Sequence, residues 1–345
     1  MTRFIDFRSD TVTQPTPQMR MAMAEAEVGD DILGEDPTVI RLETASAELL
    51  GKDAGLFVLS GTMGNQVAIQ TLTQRGDEVL MGVESHIFNL EVGGLAALSG
   101  VQTRVLNSHA GRFDLCDVSS AIRPKGLQSP ITRVLCLENT YDLNRGIPLP
   151  AEYFADMSRI ARECSATVYL DGARIFNAAT FFGVDPATLC RDADVVMFCL
   201  TKGLAAPLGS LLVGRRDFID RARWIRQRLG GGMRQAGHMA AAALVALNTM
   251  RERLTEDHLL ARRLRDGIAD IDQRMVDTGQ PLTNIVRIDL APVGKAAGYL
   301  VDGLLQRGIK VKPIGETACR MITHWGITAS EVDEAVNAIA SLIRQ

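Results

Sequence analysis

Four stretches of this chain are apolar over strand length: "GLFVLS" (55–60), "RVLCLE" (133–138), "ATVYLD" (166–171) and "DVVMFCL" (194–200). Short continuous runs of this kind suit strands covered on both faces of a parallel sheet. Helical patterns such as "NQVAIQTLTQ" (65–74) lie between them. Strand and helix therefore alternate, which predicts an α/β fold with a mostly parallel sheet and helices on both faces. The segment "QAGHMAAAALVALNTMRERL" (235–254) predicts one long helix leading out of this domain. Beyond it, "NIVRIDL" (284–290) and "CRMITH" (319–324) read as strands with charge on one face, as in a sheet partly open to water. Thr328 and Glu331 have capping-box spacing and predict the start of a last helix through "VDEAVNAIASLI" (332–343). The expected organisation is an N-terminal segment and large domain over 1–245 and a smaller α+β domain over 246–345. No repeat or low-complexity linker separates them, so the second should pack on the first.

Composition narrows the class. The chain has 345 residues, 46% hydrophobic and 23% charged, as in ordinary globular proteins. A net charge of -4 argues against a nucleic-acid surface, which needs a basic stripe. No apolar run reaches the roughly 18 to 20 residues that span a bilayer. The opening "MTRFIDFRSDTVTQPT" has acids and prolines where a secretion signal needs an apolar region, so a cytoplasmic location is expected. The six cysteines form no Cys-x-x-Cys pair, which fits buried thiols in a reducing compartment and neither a disulfide frame nor a metal site.

Chemistry gathers where predicted strands end. In "SGTMGN" (60–65) a strand passes through a glycine turn into a helix, where Gly61 and Thr62 offer N–H groups and a hydroxyl to a phosphate. "LDGAR" puts Asp171 at a strand end, "SHIF" puts His86 near another, and "LTKG" puts Lys202 after a third. Each alone has a plain structural reading: a glycine turn, a helix cap, a structural histidine, a solvated lysine. Together they are the contacts pyridoxal 5'-phosphate needs: a phosphate cradle, a carboxylate for the pyridine nitrogen and an amine for the aldehyde. A dinucleotide-binding dehydrogenase is the rival from another class, but "SGTMGN" lacks the G-x-G-x-x-G spacing and would leave Lys202 without a role.

The chain resembles the low-specificity L-threonine aldolases, relatives of the β-eliminating lyases, nearly end to end. The resemblance is carried by "FRSDTVTQPT" (7–16), "VGDDILGEDPT" (28–38), "SGTMGNQVA" (60–68), "SHIF" (85–88), "DGARIFNA" (171–178), "FCLTKGLAAPLGS" (198–210), "LGGGMRQAG" (229–237) and "CRMITH" (319–324). It implies the fold-type I architecture of pyridoxal-phosphate enzymes and cleavage of a small L-β-hydroxy-α-amino acid, threonine or allo-threonine, to glycine and an aldehyde. It implies that Lys202 bonds to the cofactor, Asp171 pairs with the pyridine nitrogen, and His86 stacks on the ring and helps move protons. Gly61, Thr62 and Thr201 would hold the phosphate, with Arg234 arriving from a neighbouring subunit of a homo-oligomer, a dimer of dimers with shared sites. Ser9, Arg174 and Arg320 would hold the substrate carboxylate, a task suited to the planar guanidinium fork.

Two positions depart from the family pattern: Leu33 stands where a tyrosine is usual, and Tyr141 follows "ENT" where a histidine is usual. Gln227 also replaces a common phosphate-binding lysine. The pocket for the substrate side chain is therefore expected to be rebuilt around Leu33 and Tyr141. A bulkier or acidic β-hydroxy amino acid, or β-elimination, is the alternative within the same cofactor chemistry.

Overall fold

The computed structural model describes residues 4–124, 126–279 and 282–344. Its strands are β1 (Ile5–Asp6), β2 (Ala54–Val58), β3 (Glu78–Gly82), β4 (Gln102–Leu106), β5 (Thr132–Glu138), β6 (Thr167–Asp171), β7 (Val195–Cys199), β8 (Ser210–Gly214), β9 (Ile285–Asp289), β10 (Ile309–Lys310), β11 (Lys312–Pro313) and β12 (Ala318–Ile322). Seven of them form one sheet in the order β2-β8-β7-β6-β5-β3-β4. Only β8 runs against the rest of that sheet, so it is mostly parallel. β2, β3, β7 and β8 are buried along their whole length, which is why the apolar runs there are unbroken. Two apolar cores line its two faces. β3, β5, β6 and β7 point the same way, so Gly82, Glu138, Asp171 and Cys199 end at one edge, where open α/β sheets bind their ligands.

A third core joins the antiparallel sheet β11-β12-β9 to the C-terminal helices. Phe7 is buried in it, β1 pairs in parallel with β10, and the Ile322 N–H donates to the Phe7 carbonyl at 2.8 Å. The start of the chain thus threads into its C-terminal third and carries Ser9 and Asp10 toward the edge of the large sheet. The last helix, Ala329–Ile343, begins with the expected reciprocal capping box between Thr328 and Glu331.

Two expectations need correction. The helix from 235 is not continuous: Gly237–Val245 passes into a π-helical segment, Ala246–Met250, before the helix Leu254–Ala269 begins. A run of alanines gives helical propensity but no signal for where the register slips. β12 is not half open to water either. All five of its residues are buried, Arg320 included. Among the described residues, no helix is long and apolar enough to cross a membrane.

Candidate active site

Asp171 closes β6 and is 2% exposed. Its Oδ1 accepts from the Ala173 N–H at 3.1 Å and its Oδ2 from Asn65 Nδ2 at 2.9 Å. A carboxylate has about four lone-pair sites, so capacity for a further donor remains. Gly172 follows because β7 passes too close for a side chain: its N–H donates to the Met197 carbonyl at 2.7 Å, and a Cβ would stand 2.8 Å from that oxygen. Asn65 belongs to the helix Gly61–Leu72, which packs on the same edge. Its amide also donates to Glu91 Oε1 at 2.6 Å, and its carbonyl accepts from the Tyr169 hydroxyl. Glu91 Oε1 faces His86 Nδ1 at 3.0 Å. Ligand atoms of His86, Glu91 and Asp171 all lie within 4.8 Å of one another, and the Asn65 amide stands between the two carboxylates. The His86 backbone N–H donates to Glu138 Oε2 at 2.8 Å. Burial, then repulsion from Asp171, push the Glu138 carboxyl well up from the usual carboxylate range.

The helix Gly61–Leu72 presents its N-terminus at this edge. Ser60 caps it by accepting from the Met63 N–H at 3.1 Å, which leaves the first N–H groups, those of Gly61 and Thr62, outside the intrahelical ladder. Gly61 cannot be larger, because a Cβ would stand 2.8 Å from Cys199 Sγ at the end of β7. Thr62 is exposed and Thr201 half-buried. Lys202 follows in a turn where its carbonyl accepts from the Ala205 N–H at 2.9 Å and from Thr13 Oγ1 at 3.1 Å. Its positive charge favours the ionised forms of both Asp10 and Glu138.

The second group is cationic. Arg174 forms a bidentate pair with Asp10, Nε to Oδ2 at 2.7 Å and an amino nitrogen to Oδ1 at 2.6 Å, both residues buried. Burial alone would raise the Asp10 carboxyl; the Arg174 charge and its hydrogen bonds more than offset that and hold it far below the usual range. Asn284 adds a donor to Asp10 at 3.2 Å. Arg320 donates to the Leu143 carbonyl at 2.7 Å and the Arg8 carbonyl at 3.1 Å, and its buried Nε has no partner among the described residues. Burial and then the Arg174 charge bring its pKa down to about 10. Ser9 caps a short 3-10 turn, accepting from the Thr11 N–H at 3.2 Å, so its hydroxyl proton is free to donate elsewhere.

Three expected site residues join neither group. Arg234 pairs with Asp30 at 2.8 Å and is largely exposed. Leu33, 66% exposed, sits in the same 30–34 loop and lines a cavity of about 840 Å³ with Ile32, Ile40 and Trp224. Tyr141 is 2% exposed and is not part of that cavity wall. Its hydroxyl donates to Glu84 at 2.8 Å, over Gly82, where any Cβ would collide with the phenol. Within one chain, then, Leu33 and Tyr141 do not share a wall. Asn65, Glu91, Glu138 and Asp10 are the site residues that sequence reasoning missed. Asn65 and Asp10 lay inside the motifs "SGTMGN" and "FRSDT" and could have been found there as polar residues in otherwise committed turns.

Residues 6–291 match the beta-eliminating lyase family. The chain is 42% identical to the probable low-specificity L-threonine aldolase 2 of Arabidopsis thaliana, covering 99% of this chain and 97% of that protein. It is 38% identical to the low specificity L-threonine aldolase of Escherichia coli K12, covering 96% of each. In structure it resembles a threonine aldolase of Leishmania major, with a TM-score of 0.82 at 19% identity over 98% of this chain and 99% of that one. A Sphingomonas wittichii serine palmitoyltransferase matches at a TM-score of 0.76 and 18% identity, over 99% and 87%. The architecture is the fold-type I architecture of pyridoxal-phosphate enzymes. With the family match spanning most of its length and close relatives covered nearly end to end, this chain belongs to the low-specificity L-threonine aldolase family of beta-eliminating lyases.

Proposed function

We propose that this protein is a pyridoxal-phosphate-dependent aldehyde-lyase that cleaves an L-β-hydroxy-α-amino acid, threonine or allo-threonine, to glycine and an aldehyde. The observation that carries this reading is the juxtaposition at one sheet edge of Asp171, the helix N-terminus at Gly61 and the Lys202 turn. The residues fit the cofactor. Asp171 has acceptor capacity left for a pyridine N–H, and Gly61, with no Cβ to meet Cys199, lets the free N–H groups of a helix N-terminus lie at the same edge. When bound, the cofactor supplies an electron sink for the pair released as a Cα bond of the substrate breaks.

The chain's own residues decide which bond that is. Lys202 would hold the cofactor covalently, and Asp171 would keep its ring nitrogen protonated. Gly61, Thr62 and Thr201 would hold its phosphate. Arg320, whose buried Nε is unpartnered, and Arg174, braced by Asp10, orient the substrate carboxylate with Ser9. A carboxylate held there would restrict rotation about Cα and so select which Cα bond is presented for cleavage. His86 would face the bound cofactor and take the proton that leaves the β-hydroxyl as that bond breaks. The active unit is a homo-oligomer, a dimer of dimers, in which the exposed Arg234 and Leu33 complete a neighbour's site. All six cysteines are free, which supports a reducing, cytoplasmic setting.

The test is direct. The purified protein should be yellow, and borohydride should fix the cofactor on Lys202. Threonine, allo-threonine, phenylserine, 3-hydroxyaspartate and serine should then be assayed for aldehyde, glycine and pyruvate. Aldehyde and glycine in equal amounts support the reading. Pyruvate from serine without aldehyde from any β-hydroxy substrate would replace it with β-elimination.

A further inference from the structure

We infer that Glu91 is a positioning residue that holds His86 in one tautomer and, through Asn65, ties it to Asp171. The inference rests on the proposed function for the catalytic importance of His86, but not for the geometry. Glu91 is 4% exposed and contacts no lysine or arginine side chain among the described residues. Its charge is met by three nitrogens instead: Asn65 Nδ2 and His86 Nδ1 at Oε1, 2.6 and 3.0 Å away, and Gln66 Nε2 at Oε2, 2.6 Å away. An ionised carboxylate only accepts, so the imidazole nitrogen facing it must carry the proton. Neutral His86 is therefore the Nδ1–H form, with a lone pair on Nε2, the nitrogen available to take a substrate proton.

The orientation of Asn65 is settled by its neighbours in the same way. The Tyr169 hydroxyl donates to its carbonyl, which turns its NH₂ toward the carboxylates of Glu91 and Asp171. One amide thus separates two like charges and links the residue facing the ring nitrogen to the one holding His86. The chain bends sharply to place Glu91: Val92 has φ 54° and Gly93 φ 67°. A β-branched residue in the left-handed region is strained, so the surrounding structure must impose that turn. At Gly94 a Cβ would stand 2.7 Å from the Gln66 amide carbon, so glycine lets Gln66 reach Glu91.

Glu91→Gln tests this, because the amide keeps the shape and can turn an NH₂ toward His86. The chain has five histidines, few enough to resolve by nitrogen NMR of the ¹⁵N-histidine-labelled holoenzyme, with His86→Ala identifying the resonance. In the parent, His86 should carry its proton on Nδ1. In Glu91→Gln the proton should move to Nε2, and kcat should fall about 10- to 100-fold with a much smaller change in KM. Glu91→Asp should restore the Nδ1–H form and part of kcat. A parent His86 protonated on Nε2 would overturn the inference, as would an unchanged tautomer and kcat in Glu91→Gln. The parent spectrum decides even if that variant does not fold. It is recorded without substrate, so it also stands apart from failure of the proposed reaction.

Discussion

The two halves of the site are both buried and both dense in hydrogen bonds, yet they carry opposite charge. Around Asp171, the second carboxylate is Glu91; the neutral amide of Asn65 donates to both, and that of Gln66 donates to Glu91. Amides satisfy lone pairs without cancelling charge, so this half remains negative. Around Asp10, the carboxylate is taken up by Arg174, while Arg320 donates to backbone carbonyls and keeps a buried Nε without a partner among the described residues. The first half suits a protonated ring nitrogen and the second a carboxylate. The difference shows that hydrogen-bond satisfaction and charge balance are separate design quantities. A site polarised in this way would orient a bound amino acid and its cofactor before any bond changes.

The comparison breaks most severely at the negative end. Asp171→Asn keeps the shape and one acceptor oxygen but removes the charge that favours a protonated ring. Turnover should fall on the order of 10²- to 10³-fold, as for loss of one preorganised electrostatic partner. Affinity for the cofactor should change less, since phosphate and lysine contacts remain. Activity within a few-fold of the parent would show that the charge there does not matter. At the positive end the signature should differ. Arg320→Lys keeps the charge but loses the fork, and KM for threonine should rise about 10- to 100-fold while the cofactor spectrum is unchanged. Equal effects of both variants on kcat and KM would erase the distinction between the halves.

Asp10→Asn asks what the ion pair contributes to stability. Arg174 would stay buried with its charge unmatched, so unfolding free energy should drop by about 3–5 kcal/mol. Denaturant titration of the holoenzyme reads this, and a loss below about 1 kcal/mol would mean that solvent or another group compensates. A smaller effect is expected from Glu138, which lies beside both halves. In the folded protein it keeps its proton above its ordinary pKa of 4.5, up to about 8. The folded state therefore binds more protons than the unfolded chain across that window, and this residue's contribution to stability is lost as pH rises through it. Glu138→Gln preserves an acceptor for the His86 N–H, found at 2.8 Å, and should flatten the stability profile between those pH values. An unchanged slope would locate the titration elsewhere.

What could be read from the sequence follows the range of the interactions. The places of Asp171, Gly61 and Lys202 are legible because one ends a strand, one opens a helix and one lies in the turn after a strand, and apolar runs mark those places locally. The pairing of Asp10 with Arg174 joins residues 164 positions apart, and Asn65 reaches Asp171 across 106. No local pattern carries such contacts; they exist only once β1 has docked into the C-terminal core and the helix Gly61–Leu72 has packed on the sheet. Arg320 shows the limit in another way. An arginine in an apolar strand reads as an exposed face, but here two backbone carbonyls and a buried surrounding hold it inside. Tyr141 and Leu33 stand out as departures from the family pattern, but where they point depended on Glu84, Gly82 and the 30–34 loop.

The most direct test of a site with one negative and one positive half is a crystal structure of the protein with pyridoxal phosphate and glycine. The ring nitrogen should lie within hydrogen-bonding distance of Asp171, and the glycine carboxylate should contact Arg320 and Arg174. A carboxylate bound away from both arginines, or a ring nitrogen turned away from Asp171, would contradict the account.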